Sequence, residues 1–128
     1  MSSIDKALGA IPAAAAIQAR RLEIVAGNIA NVSTPKYKAR DLDFRQVMAT
    51  LAQDGAASAT PAARTAELNM LTSQAVKFRV PLSASRDENT VESSVEEASY
   101  GDAATRYLAA LRFAESTLSG LRKAYRGD

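Results

Sequence analysis

Both ends of this chain carry the same apolar rhythm, and the middle carries none. Near the N-terminus, Ile4, Leu8, Ile11, Ala15, Gln18, Leu22, Val25 and Ile29 succeed one another at alternating spacings of four and three. Near the C-terminus, Tyr100, Ala104, Tyr107, Leu111, Ala114, Leu118, Leu121 and Tyr125 do the same. Alternating four and three draws one apolar stripe along a helix, to be covered by a partner helix. Each run lasts about four heptads, so each helix is on the order of 40 Å long at ~1.5 Å per residue. The seams predict terminal helices that pair with each other, with copies of themselves, or with both. The expected fold class is therefore mainly α, with the N- and C-terminal helices paired as a coiled coil around a less regular middle that holds at most a short strand.

Composition narrows the function. The chain has no His and no Cys, which excludes imidazole and thiolate metal sites, His-dependent triads, Cys nucleophiles and disulfides. The close carboxylate pairs, Asp41 with Asp43 and Glu96 with Glu97, read as a solvated segment and as helix capping. The sequence thus offers no catalytic, cofactor-binding or metal-ligating residues. Three Phe, four Tyr and no Trp in 128 residues leave few large side chains to build a monomeric core, so much apolar surface is expected to be covered by other chains. The net charge is +2, with residues 1–50 leaning basic and 86–128 leaning acidic. No basic stripe with interleaved aromatics accompanies it, so nucleic acid is not an expected partner. No run of apolar residues is long enough to span a membrane. Residues 7–19 resemble a weak signal-peptide core, but Ala replaces Leu there and cleavage would cut a seam that continues in phase to Ile29; no cleaved signal is expected.

Along the chain, residues 1–34 read as a heptad helix and its cap. Ser2 or Ser3 caps the start, and Pro12 either kinks the helix or delays its regular start. Gln18 on the seam reads as a tolerated polar residue or as a register-fixing one. The stop cluster at 28–37 relies on Asn, which tolerates the left-handed conformation, and on Pro35. Residues 35–92 form the middle segment. Within it, 37–53 read as a short helix or as an extended arm followed by helix, 54–65 as a linker, and 67–75 as another short helix. Val76 to Val80 alternate like a strand that lacks an evident partner. Residues 93–128 form the C-terminal heptad helix, started by Ser93 or Ser94 with Glu96 or Glu97 three residues on in the capping-box spacing.

Specific residues then suggest a family. The segment AGNIANVSTPKYKARDLDF (26–44) resembles the N-terminal signature of flagellar rod and hook proteins, approximately N-I-A-N-x-x-T-P-G-Y, and its continuation after Tyr37 resembles the basal-body rod proteins of the proximal rod. The matching motif residues are Asn28, Ile29, Ala30, Asn31, Thr34, Pro35 and Tyr37. Phe78-Arg79-Val80-Pro81, Asp87-Glu88-Asn89-Thr90-Val91 and Ala104-Thr105-Arg106-Tyr107 follow in the family's order. Lys36 and Glu88 depart from it, each standing where the family usually has Gly.

The resemblance implies an axial component of the bacterial flagellum, without catalytic activity or cofactor. Such a protein is exported through the flagellar type III apparatus without a cleaved signal and assembles in the periplasm, its terminal helices lining the rod and its middle forming the wall. Its partners would be copies of itself and neighbouring rod and export-apparatus proteins, with no small-molecule substrate. The assembly interface would run through Ile4, Leu8, Ile11, Leu22, Val25 and Ile29 on the first helix, and through Tyr107, Leu111, Leu118, Leu121 and Tyr125 on the last. The alternative is a soluble helical-hairpin adaptor or secretion chaperone that holds a partner helix on the same seams.

Overall fold

The N-terminal seam folds as one helix, α1, over Ser3–Ala30. A computed structural model describes residues 3–53 and 60–127; the side chains of residues 3–9 and of Pro61 lie outside that description, as do Ser2, residues 54–59 and Asp128. Pro12 sits inside α1 and does not delay its start. After α1 come β1 (Arg40–Leu42), α2 (Phe44–Gln53), α3 (Pro61–Gln74), β2 (Val76–Phe78) and α4 (Ser93–Arg126). The middle is thus an extended arm followed by helix, then a second helix and a strand. Among the described residues, no helix is long and apolar enough to cross a membrane.

The short strand does have a partner. β2 pairs antiparallel with β1, with Arg40 opposite Phe78 and Leu42 opposite Val76. The two segments lie far apart in sequence, so local reading cannot pair them. The linker expected over 54–65 is shorter than that. Thr60 caps α3 by accepting a hydrogen bond from the Ala63 N–H at 3.3 Å, and Pro61 opens the helix, where its fixed φ and missing N–H cost nothing.

α1 lies between two partners. On one side Ile17 joins Leu42, Val47 and Ala75 in a buried cluster, with Ile24, Phe44, Met48, Leu51, Leu68, Leu71 and Val76 packed around it. On the other side α1 runs antiparallel to α4: Asn28 meets Glu96, and one helical stretch back Arg21 meets Asp102. The α1 seam serves this pairing. Ala15, Gln18 and Val25 are buried, and Ile11, Leu22 and Ile29 half-buried. Gln18 Oε1 is buried without a hydrogen-bond partner among the described residues.

The α4 stripe is rotated from the one read in the sequence. Ala103 is fully buried, and Tyr107, Ala110, Ala114 and Thr117 continue from it, half-buried, at spacings of four and three. These are mostly small residues, which let the two helices approach closely. Leu111 and Leu118 lie one position C-terminal to Ala110 and Thr117 and remain exposed. The shift of one residue turns the larger side chains away from α1.

Candidate assembly site

Asn28, in the middle of the family-like motif, was read as part of a helix stop. It is instead the last fully buried residue of α1, and its side chain fastens three elements. Its Nδ2 donates to the Arg40 carbonyl at 2.7 Å and to Glu96 Oε2 at 2.9 Å. Its Oδ1 accepts from the Arg40 N–H at 3.1 Å and from the Tyr37 hydroxyl at 3.4 Å. Arg40 sits in a β1 position whose backbone groups point away from β2. The Asn28 amide therefore closes the outer edge of β1 as a neighbouring strand would, satisfying a donor and an acceptor at once.

Asp41, beside it, was read as solvated but is half-buried between two arginines. Arg21 grips it with Nε at 2.9 Å and Nη2 at 3.1 Å, and Arg79 Nη2 reaches its Oδ2 at 2.8 Å. Arg21 also bonds Asp102 on α4 at 3.0 Å. Hydrogen bonding to Asp41 holds the Arg21 pKa above its ordinary value, and the bond from Arg106 is the main cause that draws the Asp102 carboxyl below the usual carboxylate range. Arg79 continues to Ser99 at 3.3 Å and forms an ion pair with Glu96 at 3.5 Å.

Glu96 corrects the capping reading. The N-cap of α4 is Glu92, which makes no side-chain cap bond. Glu96 lies one turn inside, fully buried, with a hydrogen bond from Asn28 on Oε2 and the Arg79 ion pair, without a hydrogen bond among the described residues, on Oε1. A buried carboxylate requires such partners, and here they come from α1 and from the segment after β2.

The turn after α1 is clasped by the later motif. Asn31 Nδ2 caps α1 by donating to the Gly27 carbonyl at 2.8 Å, and its Oδ1 accepts from Thr34 Oγ1 at 3.1 Å. Asn89 Nδ2 lies within 3.0 Å of the carbonyls of Asn31, Val32 and Thr34. The Lys36 N–H donates to the Asp87 carbonyl at 2.9 Å, the Thr90 N–H to the Tyr37 carbonyl at 3.0 Å, and the Ala39 N–H to Thr90 Oγ1 at 2.8 Å. Among the described residues, only Lys36 (φ 62°) and Glu88 (φ 60°) are non-glycines in the left-handed region. No Asn closes the helix that way. Lys36 and Glu88 are the two positions where the family pattern has Gly, so the glycine backbone is kept with bulkier residues in it. Ile29 is half-buried, whereas Ala30 and Pro35 are exposed.

Of the expected interface residues, Ile11, Leu22, Val25 and Ile29 are covered within the chain to the degrees given above, and the side chains of Ile4 and Leu8 lie outside the described residues. Tyr107 is half-buried. Leu111 (38% exposed), Leu118 (54%), Leu121 (37%) and Tyr125 (95%) are exposed, as are Tyr100, Leu108 and Phe113 on the same helix. A second apolar surface escaped the sequence reading: Phe78 is 73%, Val80 85% and Leu82 86% exposed. Its signal was the alternation already visible at 76–80, continued by two residues. Taken together, the site is a polar clasp that fixes the helix pair, plus apolar surface left open beside it.

The comparisons agree with this anatomy. Residues 13–38, which span the buried half of α1 and the clasped turn, match the family described as "Flagella basal body rod protein". The chain is 33% identical over 128 residues to the flagellar basal body rod protein FlgB of Cereibacter sphaeroides, covering 100% of both chains. It is 34% identical to FlgB of Aeromonas hydrophila, over 98% of this chain and 97% of that one. It is 33% identical to FlgB of Salmonella typhimurium, over 99% and 98%. With identity of 33–34% over essentially the whole length of these relatives, the chain belongs to the flagellar basal body rod proteins of the FlgB type.

Proposed function

We propose that this protein is a structural subunit of the flagellar basal-body rod, assembling through its terminal helices with copies of itself and with neighbouring rod and export-apparatus proteins. In this reading the helix pairs line an axial export conduit, and their packing transmits torque. The subunit works in the periplasm, having been exported without a cleaved signal peptide, and it carries out no catalysis. The observation that carries the proposal is the outward flank of α4, where Tyr100, Leu108, Leu111 and Leu118 are exposed along one side of a rigid helix. Contiguous exposed apolar surface of this kind marks a protein–protein contact. The relatives, named as rod proteins, support the same reading and do not favour an adaptor or chaperone.

The test compares Leu118→Asp with Ser116→Asp, which lies round the helix from that flank. An unpaired carboxylate in a dry contact is costly, and the cost recurs at every subunit of an assembly. Leu118→Asp is expected to abolish swimming in soft agar and recovery of basal bodies, while Ser116→Asp is nearly silent. Equal motility of the two strains would remove the main physical support for the proposal.

A further inference from the structure

α4 carries two stripes that can face α1, and the fold uses the one with less apolar surface. Ala103, Tyr107, Ala110, Ala114 and Thr117 are buried or half-buried, whereas Ala104, Tyr107, Leu111, Ala114, Leu118 and Leu121 make the heptad seam. Because the stripes share Tyr107 and Ala114, their centre lines lie only about 50° apart around a helix that turns ~100° per residue. Apolar burial alone favours the seam, which offers leucine where the stripe in use offers Ala110 and Thr117. Nor does the seat in use satisfy α1, since Gln18 Oε1 stays buried without a hydrogen bond among the described residues. Something other than apolar packing holds α4 as it is turned.

Two polar ties supply that hold. Asp102 stands one position before Ala103, while Leu111 and Leu118 stand one position after Ala110 and Thr117, so the aspartate and the leucines flank the stripe on opposite sides. Ser99, four positions before Ala103, leans to the side of Asp102. Arg21 bonds Asp102 at 3.0 Å and Arg79 bonds Ser99 at 3.3 Å, and both ties pull the leucines away from α1. Glu96, seven positions before Ala103, is nearly in line with the stripe, and its bond to Asn28 acts as a pivot. Neither arginine relies on α4 for its place, because both are anchored on Asp41. We infer that α4 has two seats on α1, about 50° apart around its own axis, and that the Arg21–Asp102 and Arg79–Ser99 ties select the one that leaves Leu111 and Leu118 outside. Released from the ties, α4 turns on Glu96 and covers its own leucines, hiding the surface that the proposed assembly uses. The device belongs to the single chain, so its test does not depend on the rod reading.

Thr117→Cys and Leu118→Cys, made in separate chains, report the rotation. The protein has no native Cys, and adjacent positions share any local fraying, so their order of reactivity follows the turn of the helix. The purified full chain, kept dilute, is treated with a maleimide. With the ties intact, the Leu118→Cys chain should react about fivefold faster than the Thr117→Cys chain, as exposure dictates. Adding Ser99→Ala and Asp102→Ala to each should reverse that order, with helicity by circular dichroism unchanged. An unchanged order or equal rates would overturn the inference, because α4 would then have kept its seat or come off α1 altogether. Loss of helicity would overturn it too, since the ties would be holding the fold together and not choosing between seats. Leu111→Ala, added to the chains without ties, weakens the second seat and should restore the original order. Failure to restore it would show that the leucine seam does not drive the turn.

Discussion

α1 and α4 carry the same heptad rhythm, yet the fold treats them oppositely. α1 is covered on two sides, by the middle segment and by α4, so that Ile17, Val25 and Asn28 are fully buried. α4 is longer, at 34 residues against 28, but gives α1 a stripe of mostly small residues and keeps Leu108, Leu111 and Leu118 outside. The difference lies in what else touches each helix. α1 has β1, α2 and α3 behind it, whereas α4 meets only α1 along most of its length. A heptad seam specifies that a helix will have a partner; the rest of the fold specifies whether that partner is in the same chain.

That contrast can be broken most sharply by one charge on each helix. Val25→Asp buries an unpaired carboxylate and is expected to cost about 3–5 kcal/mol, enough to unfold the isolated chain. Leu118→Asp is expected to change the stability of the isolated chain by under about 1 kcal/mol, despite its effect on assembly. Urea melts of the two purified variants check this, and similar losses in both would mean α4 is as enclosed as α1.

The clasp sets the next level. Asn28→Ala strands the backbone groups of Arg40 and one oxygen of the buried Glu96, each worth about 1–3 kcal/mol when left unsatisfied, so a loss of about 3 kcal/mol is expected. Asn31→Ala removes a helix-end hydrogen bond and should cost about 1 kcal/mol. If the two variants melt together, Asn28 does not join α1 to β1 and α4.

Smaller effects belong to the turns. Lys36→Gly and Glu88→Gly relieve left-handed strain of about 1–2 kcal/mol per residue, offset by the greater chain entropy of Gly. Each should therefore stabilise by about 0.5–1 kcal/mol, read as a higher denaturant midpoint with unchanged slope. A loss of stability would show that the lysine and glutamate side chains contribute more than their backbone strain removes.

The weakest handle is pH. Hydrogen bonds from Lys77, Ser85 and Arg106 lead the causes that hold the carboxyls of Asp43, Asp87 and Asp102 below the ordinary value of 3.8. Because the folded values are depressed, the stabilisation is present in full above about pH 4 and is lost as pH falls through those lower values. Asp87 and Asp102 are exposed and Asp43 is only half-buried, so the decline should be shallow. A melt series from pH 6 to pH 2.5 would show it, and a steep loss above pH 4 would mean that these three carboxyls do not set the acid limb.

Much of this protein was legible in its sequence. The two terminal helices and the helix before β2 follow from apolar period and stop signals, both of which act within a few residues. The motif around Asn28 was also visible, and with it the family. The chemistry of the clasp was not. Glu96 looked like half of a capping box because Ser93 stands three residues before it, while its real partners, Asn28 and Arg79, lie 68 and 17 positions away along the chain. Asp41 looked like a solvated charge for the same reason, since its partners Arg21 and Arg79 lie 20 and 38 positions away. Likewise β2 lacked a partner until β1 was brought beside it.

Period and composition determined that the ends are helices, that each needs a partner, and that the chain lacks the side chains of an imidazole or thiolate site. Only the tertiary structure decided which side of each helix is spent within the molecule. A heptad stripe covers a broad arc, and a rotation of one residue exchanges Ala110 and Thr117 for Leu111 and Leu118 with little change in periodicity. The choice fell to the polar clasp, since bringing Glu96 to Asn28 and Asp102 to Arg21 fixes how α4 is turned about its axis. That rotation, invisible to any local rule, leaves the leucines facing outward.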